Sequence, residues 1–356
     1  MKKTLNKTKI ADFATYIGVV IAFIVMNVLM NEGLLTRSMK GQLVPICCYI
    51  VMAISLNLTV GILGELSLGH AGFMSVGAFT GIVTAMSLQS AVPSDGVRLA
   101  LAIVMGAIFA GIAGTLVGIP VLRLHGDYLA IVTLAFGEII KELINCLIIG
   151  HDENGLHIIF NATGAKTVTD LGLTETGKVL IKGAQGATGT DTIASFTAGF
   201  VLIMITLVVV LNLVRSRSGR AIMALRDNRI AAEAAGINVT KYKLMAFVTS
   251  AALAGGAGAL YGLNFSNLVS SKFDFNTSIL ILVFVVLGGL GNMWGSIIAA
   301  AVLTVLPEAL RGFADYRMLI YAIVLIVVML ATNSPQMKAL LSKLVPFGKK
   351  GEKEHA

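Results

Sequence analysis

Apolar residues occur in long runs along this chain, and short polar stretches separate the runs. A membrane-spanning helix needs about 20 mostly apolar residues, and several of the runs reach that length. The pattern predicts ten spans, of which the eighth and ninth are short and joined by the glycine-rich stretch LGGLGNMWG. The predicted spans are 11–31, 42–62, 67–89, 98–122, 127–149, 192–214, 243–264, 276–290, 294–310 and 317–333.

The composition agrees with an integral membrane protein. Of the 356 residues, 56% are hydrophobic and 13% are charged, and the mean hydropathy is +0.87. Soluble domains carry about 25% charged residues, so this chain lacks the polar surface of a soluble protein. We therefore predict an all-α fold, a polytopic bundle of about ten transmembrane helices over residues 11–333, between a basic N-terminus (1–10) and a basic tail (334–356).

The basic residues predict the orientation of the bundle, because Lys and Arg are concentrated in cytoplasmic loops. With the N-terminus inside, the cytoplasmic segments hold seventeen basic residues and the external loops hold nine. We therefore expect both termini and a coupling loop at 215–243 to be cytoplasmic, and a loop at 150–190 to be external. The net charge of +8 then reflects topology and not nucleic-acid binding.

Segment 150–190 is the one sizeable external element that the pattern predicts. It is rich in Gly and Thr, is too polar to span a membrane and is too irregular to form one helix. It could be a cap that contacts a delivered substrate or a docking protein, or it could be a flexible connector. The sequence leaves both interpretations open.

Small residues predict close contact between the spans. Three GxxxG pairs let helix backbones approach each other, as they do in channels, carriers and membrane enzymes alike. The cysteines lie in apolar runs without metal-binding spacing and are interpreted as small buried hydrophobes. The glycine pairs are Gly77/Gly81, Gly114/Gly118 and Gly258/Gly262, and the cysteines are Cys47, Cys48 and Cys146.

Charged residues within the fifth span are candidates for a substrate pathway. Glu138, Lys141 and Glu142 fall on one helical face, and the helix rise from Asp127 places Glu138 near the middle of the bilayer. A charge there costs at least about 2.5 kcal/mol and normally faces a bundle interior or a water-filled path. The pair could bind both charges of a zwitterionic substrate, or Glu138 and Lys141 could simply neutralise each other.

His70 is a second candidate, for a metal site, a proton relay or the pathway. No partner histidine or HExxH motif lies nearby, and glycines flank it, which favours a helix-packing role. The sequence has no GxxxxGK[ST] motif and no Ser/His/Asp or Cys/His grouping. We therefore expect a chain that is not an enzyme and binds no cofactor, so that any ATP is bound by another subunit.

The stretch 215–243 predicts a short helix with marked ends. Asp227 or Asn228 can cap it, RIAAEAA supplies about two turns, and Gly236 stands where a glycine ends a helix. Thr240 can then cap the seventh span. A short amphipathic helix of this kind is suited to docking into a groove on a cytoplasmic partner.

Four stretches together resemble a known family, the LivM-type permease subunits of ABC importers for branched-chain amino acids. They are GELSLGHAGFMSVGAFTG (64–81), RLHGDYLAIVTLAFGEII (123–140), SRSGRAIMALRDNRIAAEAAGINVTKYKLMAF (216–247) and VVLGGLGNMWGSIIAA (285–300). The resemblance covers about residues 41–333. Glu65 departs from the Gln that commonly precedes LSLGH, and NATGA is a reduced form of an external TGG-type signature.

The resemblance implies a multi-pass subunit of a bacterial plasma-membrane importer. Its partners would be a second, LivH-type permease, two cytoplasmic ATP-binding subunits, an extracytoplasmic amino acid binding protein and membrane lipid, with no nucleic acid. The loop at 215–243 would be the coupling helix that docks on an ATPase. The residues expected there are Arg226, Asp227, Arg229, Ala231, Ala232, Glu233 and Gly236, of which Ala231, Ala232 and Gly236 match the EAA---G spacing.

Other substrates and other classes remain open at this point. Permeases of the same superfamily carry urea or nucleosides. An ion-coupled secondary transporter could use Glu138 and Glu142 but would not need the element at 219–243. A receptor-type membrane protein would bind partners without moving a solute.

Overall fold

The computed structural model describes residues 2–33, 36–124, 126–152, 155–161, 168–172 and 177–310, and the isolated positions 319, 322, 323 and 326. The predicted tail lies outside the described residues, as does the predicted tenth span apart from those four positions. The chain divides into a compact unit, Met1–Ala301, and a second unit, Val302–Ala356. All contacts discussed below lie within the first unit.

The described residues are mostly helical. The first helices are α1 (Lys2–Asn31), α2 (Arg37–Asn57), α3 (His70–Ser87), α4 (Asp95–Val121) and α5 (Asp127–Asn145). After a set of strands follow α6 (Phe196–Arg215), α7 (Arg217–Asp227), α8 (Arg229–Ala234), α9 (Val239–Gly262), α10 (Phe275–Gly288) and α11 (Met293–Ala309).

Five helices in the described part of the chain are long and apolar enough to cross a membrane, and α10 and α11 are shorter apolar helices. The five are Phe13–Asn31, Arg37–Leu63, Asp95–Val121, Phe196–Arg215 and Val239–Gly262. A polytopic helical bundle is therefore confirmed. The number of ten spans and the positions of the termini stay predictions.

Helices α3, α4 and α9 form the closely packed centre of the bundle. A methyl group on Gly81 would lie 2.6 Å from the Cβ of Ala259, and one on Gly114 would lie 2.6 Å from the Cβ of Ala251. Neither distance is tolerable for a real Cβ atom, so only glycine fits at these two crossings. The predicted role of the small residues in close helix contact is confirmed.

Helix α2 does not end at Asn57 but continues as one buried π-helical turn, Leu58–Leu63. Gly64 ends the turn in the left-handed region (φ 81°), which glycine adopts without strain. The Asn57 side chain accepts a hydrogen bond from the Gly291 backbone (2.8 Å) and donates one to Ser296 Oγ (2.9 Å). This buried amide ties the end of α2 to the loop between α10 and α11.

The prediction of an all-α chain is wrong around residues 147–188, where an antiparallel sheet forms. Its strand order is β2-β1-β3-β4-β5, and Ile149 faces Ile158 across the first pair. The strands are β1 (Leu147–Asp152), β2 (Gly155–Phe160), β3 (Lys178–Lys182), β4 (Ala187–Thr188) and β5 (Asn267–Leu268).

The sheet also corrects the predicted fifth span, 127–149. Helix α5 ends at Asn145, and the isoleucines that follow belong to β1. The apolar run that follows α5 suggested that the helix continues, although the β-branched residues in it favour a strand. The described part of segment 150–190 is consequently a folded sheet with short 3₁₀ turns, and not an irregular connector.

Candidate functional site

The stretch between α6 and α9 folds into two short helices, of which only the second was predicted. Helix α7 begins after Ser216, whose hydroxyl accepts a hydrogen bond from the Gly219 backbone (3.1 Å). Its side chains Ile222 and Leu225 are buried, so one face packs on the bundle. Helix α7 is therefore seated on the bundle.

Helix α8 has the ends that the sequence predicted. Asn228 Oδ1 accepts a hydrogen bond from the Ala231 backbone at 3.0 Å, which identifies Asn228 rather than Asp227 as the cap. Gly236 has φ 82°, and its N–H and that of Ile237 donate to the carbonyls of Glu233 and Ala232 (3.0 and 3.1 Å). This is a Schellman ending, which fixes the direction in which the chain leaves the helix.

The predicted cap of the next helix is wrong. Helix α9 begins at Val239, and the side chain of Asn238 accepts the hydrogen bond from the Lys241 backbone at 3.0 Å. Thr240 already lies within the helix. Asn and Thr are both capping residues, and spacing alone does not distinguish two candidates two positions apart.

The two faces of α8 differ in exposure. Ile230 is 81% exposed, and Ala231, Glu233 and Ala234 are exposed beside it, whereas Ala232 is buried within the chain. An isoleucine held in solvent on a capped helix is available to a partner. Ala232, in contrast, is small because it packs against its own chain.

Arg226 is 42% exposed but contacts a distant part of the chain. Its Nη1 donates to the Gly61 carbonyl at 2.9 Å, at the end of the π-helical turn. Its Nε and Nη2 also donate to Asp227 Oδ1, at 3.3 and 3.2 Å. The sequence could not show this contact, because 165 residues separate Arg226 from Gly61.

Glu65 and Lys243 form an ion pair that the sequence analysis missed. The side chains are 17% and 4% exposed, and Lys243 Nζ donates to Glu65 Oε1. In the sequence, Lys243 is one of the basic residues of 215–243 that indicate topology. The departure at Glu65 was the one available signal, since a carboxylate in an apolar neighbourhood requires a partner.

The charged face of α5 forms as predicted but is open at the surface of the chain. Lys141 forms an ion pair with Glu138 and lies 4.0 Å from Glu142. Lys141 is 19% exposed, Glu138 40% and Glu142 65%. Beside this face, α5 packs closely on the bundle, where a methyl group on Gly137 would lie 3.2 Å from Gly69 Cα.

Only about 10 Å of helix rise separates Glu138 from the end of α5 at Asn145, where the sheet begins. Asn145 accepts a hydrogen bond from Ser270, and Asp274 caps α10 nearby by accepting one from the Thr277 backbone (2.9 Å). The charged face therefore continues into polar residues that sequence analysis did not single out.

The surroundings of Asp274 change the pKa of its carboxyl group. Burial raises the pKa of the Asp274 carboxyl, but hydrogen bonds from Thr277 and Asn276 and the charge of Lys141 lower it more. The pKa therefore lies below its ordinary value, and Asp274 is an anion at neutral pH. Carboxylates and an ammonium group together line this end of α5.

His70 lies in the packed interior. Its Nε2 is 2.8 Å from Ser55 Oγ, and its ring meets Phe73 edge-on at 6.3 Å between centroids. The residue is buried, which agrees with the helix-packing interpretation and not with a position on an open solute path. Among the described residues, no group of three His, Cys, Asp or Glu side chains could hold a metal ion.

Two cavities of about 380 and 340 Å³ lie where the sheet meets Met86 of α3. Their walls include Lys178 and Leu180 of β3, and the second also includes His151 and Asp152. Neither is lined by the charged residues of α5. The α5 residues therefore form an open surface of the single chain and do not line either of these cavities.

Comparisons with known proteins match most of the chain to a protein family. The family model for the branched-chain amino acid transport system / permease component matches residues 38–330. The high-affinity branched-chain amino acid transport system permease protein LivM of Escherichia coli is 35% identical over 288 residues, which cover 79% of this chain and 66% of that protein. The match thus spans slightly less than two thirds of the relative's length.

Two more distant relatives are also similar. The probable branched-chain amino acid transport permease protein LivM of Methanocaldococcus jannaschii is 26% identical over 69% of this chain and 74% of its own length. The ribose import permease protein RbsC of Haemophilus influenzae is 32% identical over 32% of this chain and 38% of its own length. No solved structure matches the chain.

Proposed function

The chain belongs to the family of permease components of branched-chain amino acid transport systems, and on this premise we propose that it is a membrane-spanning subunit of an ABC importer. Its substrates are leucine, isoleucine and valine. The chain itself is not an enzyme and binds no cofactor, and the energy comes from ATP bound by two separate cytoplasmic subunits. The importer resides in a bacterial plasma membrane.

The observation that carries this proposal is the exposed, capped helix α8. Asn228 and the Schellman ending at Gly236 hold the helix rigid. Ile230 and Ala231 face outward, where an ATPase subunit can bind them. Arg229 and Glu233 flank this apolar contact. An ion-coupled carrier needs no such element.

The solute path runs along the charged face of α5. A zwitterionic amino acid presents an ammonium and a carboxylate, and Glu138, Glu142 and Lys141 offer a partner of opposite charge to each. Exposed apolar residues on the same helix, among them Ile131 and Ile139, would contact the aliphatic side chain of the substrate or the second permease. A LivH-type permease closes the path from the other side, since this face is open in the single chain.

The sheet formed by β1 to β5 is the external surface that receives the binding protein, and the stretch 215–243 is cytoplasmic. Single cysteines in a cysteine-free background test this orientation with an impermeant maleimide added from outside. Lys178→Cys should be labelled in intact cells, and Arg217→Cys only after the membrane is opened. The reverse pattern would overturn the proposed topology.

ATP-driven uptake tests the function itself. The chain is purified with its second permease and ATPases, reconstituted in proteoliposomes and supplied with the binding protein and labelled leucine. Uptake should require ATP on the ATPase side and should persist when ion gradients are collapsed. Uptake that follows an ion gradient without ATP would instead identify a secondary transporter.

Competition with labelled leucine distinguishes amino acids from the second candidate class of substrates, sugars and nucleosides. The partial likeness to a ribose import permease favours testing sugars and nucleosides beside amino acids. Unlabelled isoleucine and valine should suppress leucine uptake, whereas ribose, urea and nucleosides should not. Suppression by ribose or nucleosides alone would reassign the substrate.

A further inference from the structure

Two cytoplasmic-side contacts converge on one short segment of the bundle, residues 61–65. Arg226, next to the last residue of α7, contacts Gly61, and Lys243 of α9 pairs with Glu65. These two residues lie on either side of α8. The chain is therefore tied to residues 61–65 both before and after α8.

Arg226 is fitted to the end of the π-helical turn in two ways. The Gly61 carbonyl belongs to the last turn, where backbone acceptors have no partner within the helix, and the guanidinium satisfies it at 2.9 Å. The aliphatic part of Arg226 lies across Gly64, where a methyl group would come within 2.6 Å of Arg226 Cγ. Gly64 is thus required both by its φ of 81° and by the arginine above it.

The other side of the same turn contacts the loop between α10 and α11. Asn57, which begins the turn, holds Gly291 and Ser296 by hydrogen bonds of 2.8 and 2.9 Å. A methyl group on Gly61 would lie 3.0 Å from Gly291 Cα, so the two backbones touch. Gly289 and Gly291 both have positive φ, which gives this loop a backbone that other residues do not adopt readily.

We propose that Arg226 is a positioning residue that makes the π-helical turn a rigid joint between α8 and the loop 289–292. The joint consists of Gly61, Gly64, Glu65, Arg226 and Lys243. This inference rests on the proposed function. When the ATPase displaces α8, the joint carries that displacement through the π-helical turn and Asn57 to the loop 289–292. Tightly packed elements move as rigid bodies, so a contact that fixes one element to another transmits its displacement.

The geometry requires arginine at position 226. The planar guanidinium donates to the Gly61 carbonyl and to Asp227 at the same time, and the second contact fixes the orientation of the first. A lysine is a point charge on a flexible stem and cannot make both contacts in fixed directions. Arg226→Lys should therefore retain the charge but loosen the joint.

The test compares Arg226→Met, Arg226→Lys and Arg217→Met in the reconstituted importer. Arg217 is exposed on the same helix, so its variant removes an equal charge away from the joint. Complex yield, ATPase co-purification, ATP hydrolysis with and without loaded binding protein, and leucine uptake are measured. We expect Arg226→Met to retain its ATPases but to lose about ten-fold in leucine imported per ATP hydrolysed, with Arg226→Lys intermediate and Arg217→Met like wild type.

A merely structural role would lower the yield of Arg226→Met complexes and leave the ratio of import to hydrolysis unchanged in those that assemble. That result overturns the inference. If Arg226→Met does not assemble, Arg226→Lys decides in the same way, because it keeps the charge and the stem. Failure of the wild-type complex to import leucine with ATP would instead refute the proposed function, and it is read from the same preparation.

Discussion

Two glutamate–lysine ion pairs in this chain differ in how far their carboxylates are open, with Glu65 17% and Glu138 40% exposed. Glu65 and Lys243 are 178 residues apart in the sequence and are largely removed from solvent, so their pair joins two elements. Glu138 and Lys141 lie one turn apart on a single helix, with Glu142 beside them, on a face that the chain leaves open.

Burial changes the role that a carboxylate and an ammonium group can have as a pair. A buried pair has lost its hydration, so each charge depends on the other, and removing one partner leaves an unpaired charge in an apolar site. An exposed pair costs little to form and contributes little to stability, but its charges remain accessible to another molecule. The pair Glu65–Lys243 is therefore suited to stabilising the fold, and the pair Glu138–Lys141 to binding a substrate.

The largest expected effect is the loss of one partner of the buried pair. Lys243→Met leaves Glu65 without its cation and should destabilise the protein by about 3–5 kcal/mol. The double variant Glu65→Met/Lys243→Met removes both charges and should recover most of that loss. Thermal unfolding of the purified complexes checks this, and equal loss in the single and double variants would contradict it.

Two adjacent alanines of α8 also differ in burial. Ala232 is buried, so Ala232→Trp should overpack the contact with its own chain and cost about 1–3 kcal/mol. Ala231 is exposed, so Ala231→Trp should leave stability unchanged but reduce co-purification of the ATPase subunits. If both variants behave alike in both assays, α8 does not have one inward and one outward face.

Substitutions at Gly236 measure the free-energy cost of the backbone conformation that ends α8, without a contribution from packing. A methyl group there would meet nothing within 4 Å, so the cost of a side chain comes only from φ 82°. Gly236→Val should cost about 1–2 kcal/mol, and Gly236→Asn should cost less because Asn tolerates the left-handed region. Equal thermal stability of the two variants would show that the Schellman ending contributes nothing.

The smallest effect on stability is expected at the open pair. Glu138→Gln should cost less than about 1 kcal/mol, because Glu138 is 40% exposed and Lys141 keeps Glu142 as a partner at 4.0 Å. The same variant should impair leucine uptake, since the amide no longer attracts the ammonium group of the substrate. Normal uptake by Glu138→Gln, or a loss of complex yield that Lys141→Met restores, would make this pair structural as well.

Features that depend on neighbouring residues could be predicted from the sequence. The cap at Asn228, the ending at Gly236 and the glycine contacts all follow from local geometry or from spacing on one helix. The prediction of Thr240 as the cap of α9 failed, because Asn238 two positions earlier is also a capping residue.

Features that depend on distant residues could not be predicted. The contact of Arg226 with Gly61 and the pairing of Glu65 with Lys243 each join residues more than 160 positions apart. The sheet was missed because the isoleucines after Cys146 continue the apolar run of α5. Their strand conformation depends on pairing with β2 and β3, which periodicity within one segment does not reveal.

The most direct test of the open α5 face is protection of a single cysteine by substrate. Glu142→Cys, in a cysteine-free background of the reconstituted importer, is exposed to a small water-soluble thiol reagent with leucine or ribose present. We expect the thiol to react, leucine to slow the reaction and ribose to leave it unchanged. An unreactive thiol, or one that leucine leaves unprotected, would contradict the assignment of this face to the solute path.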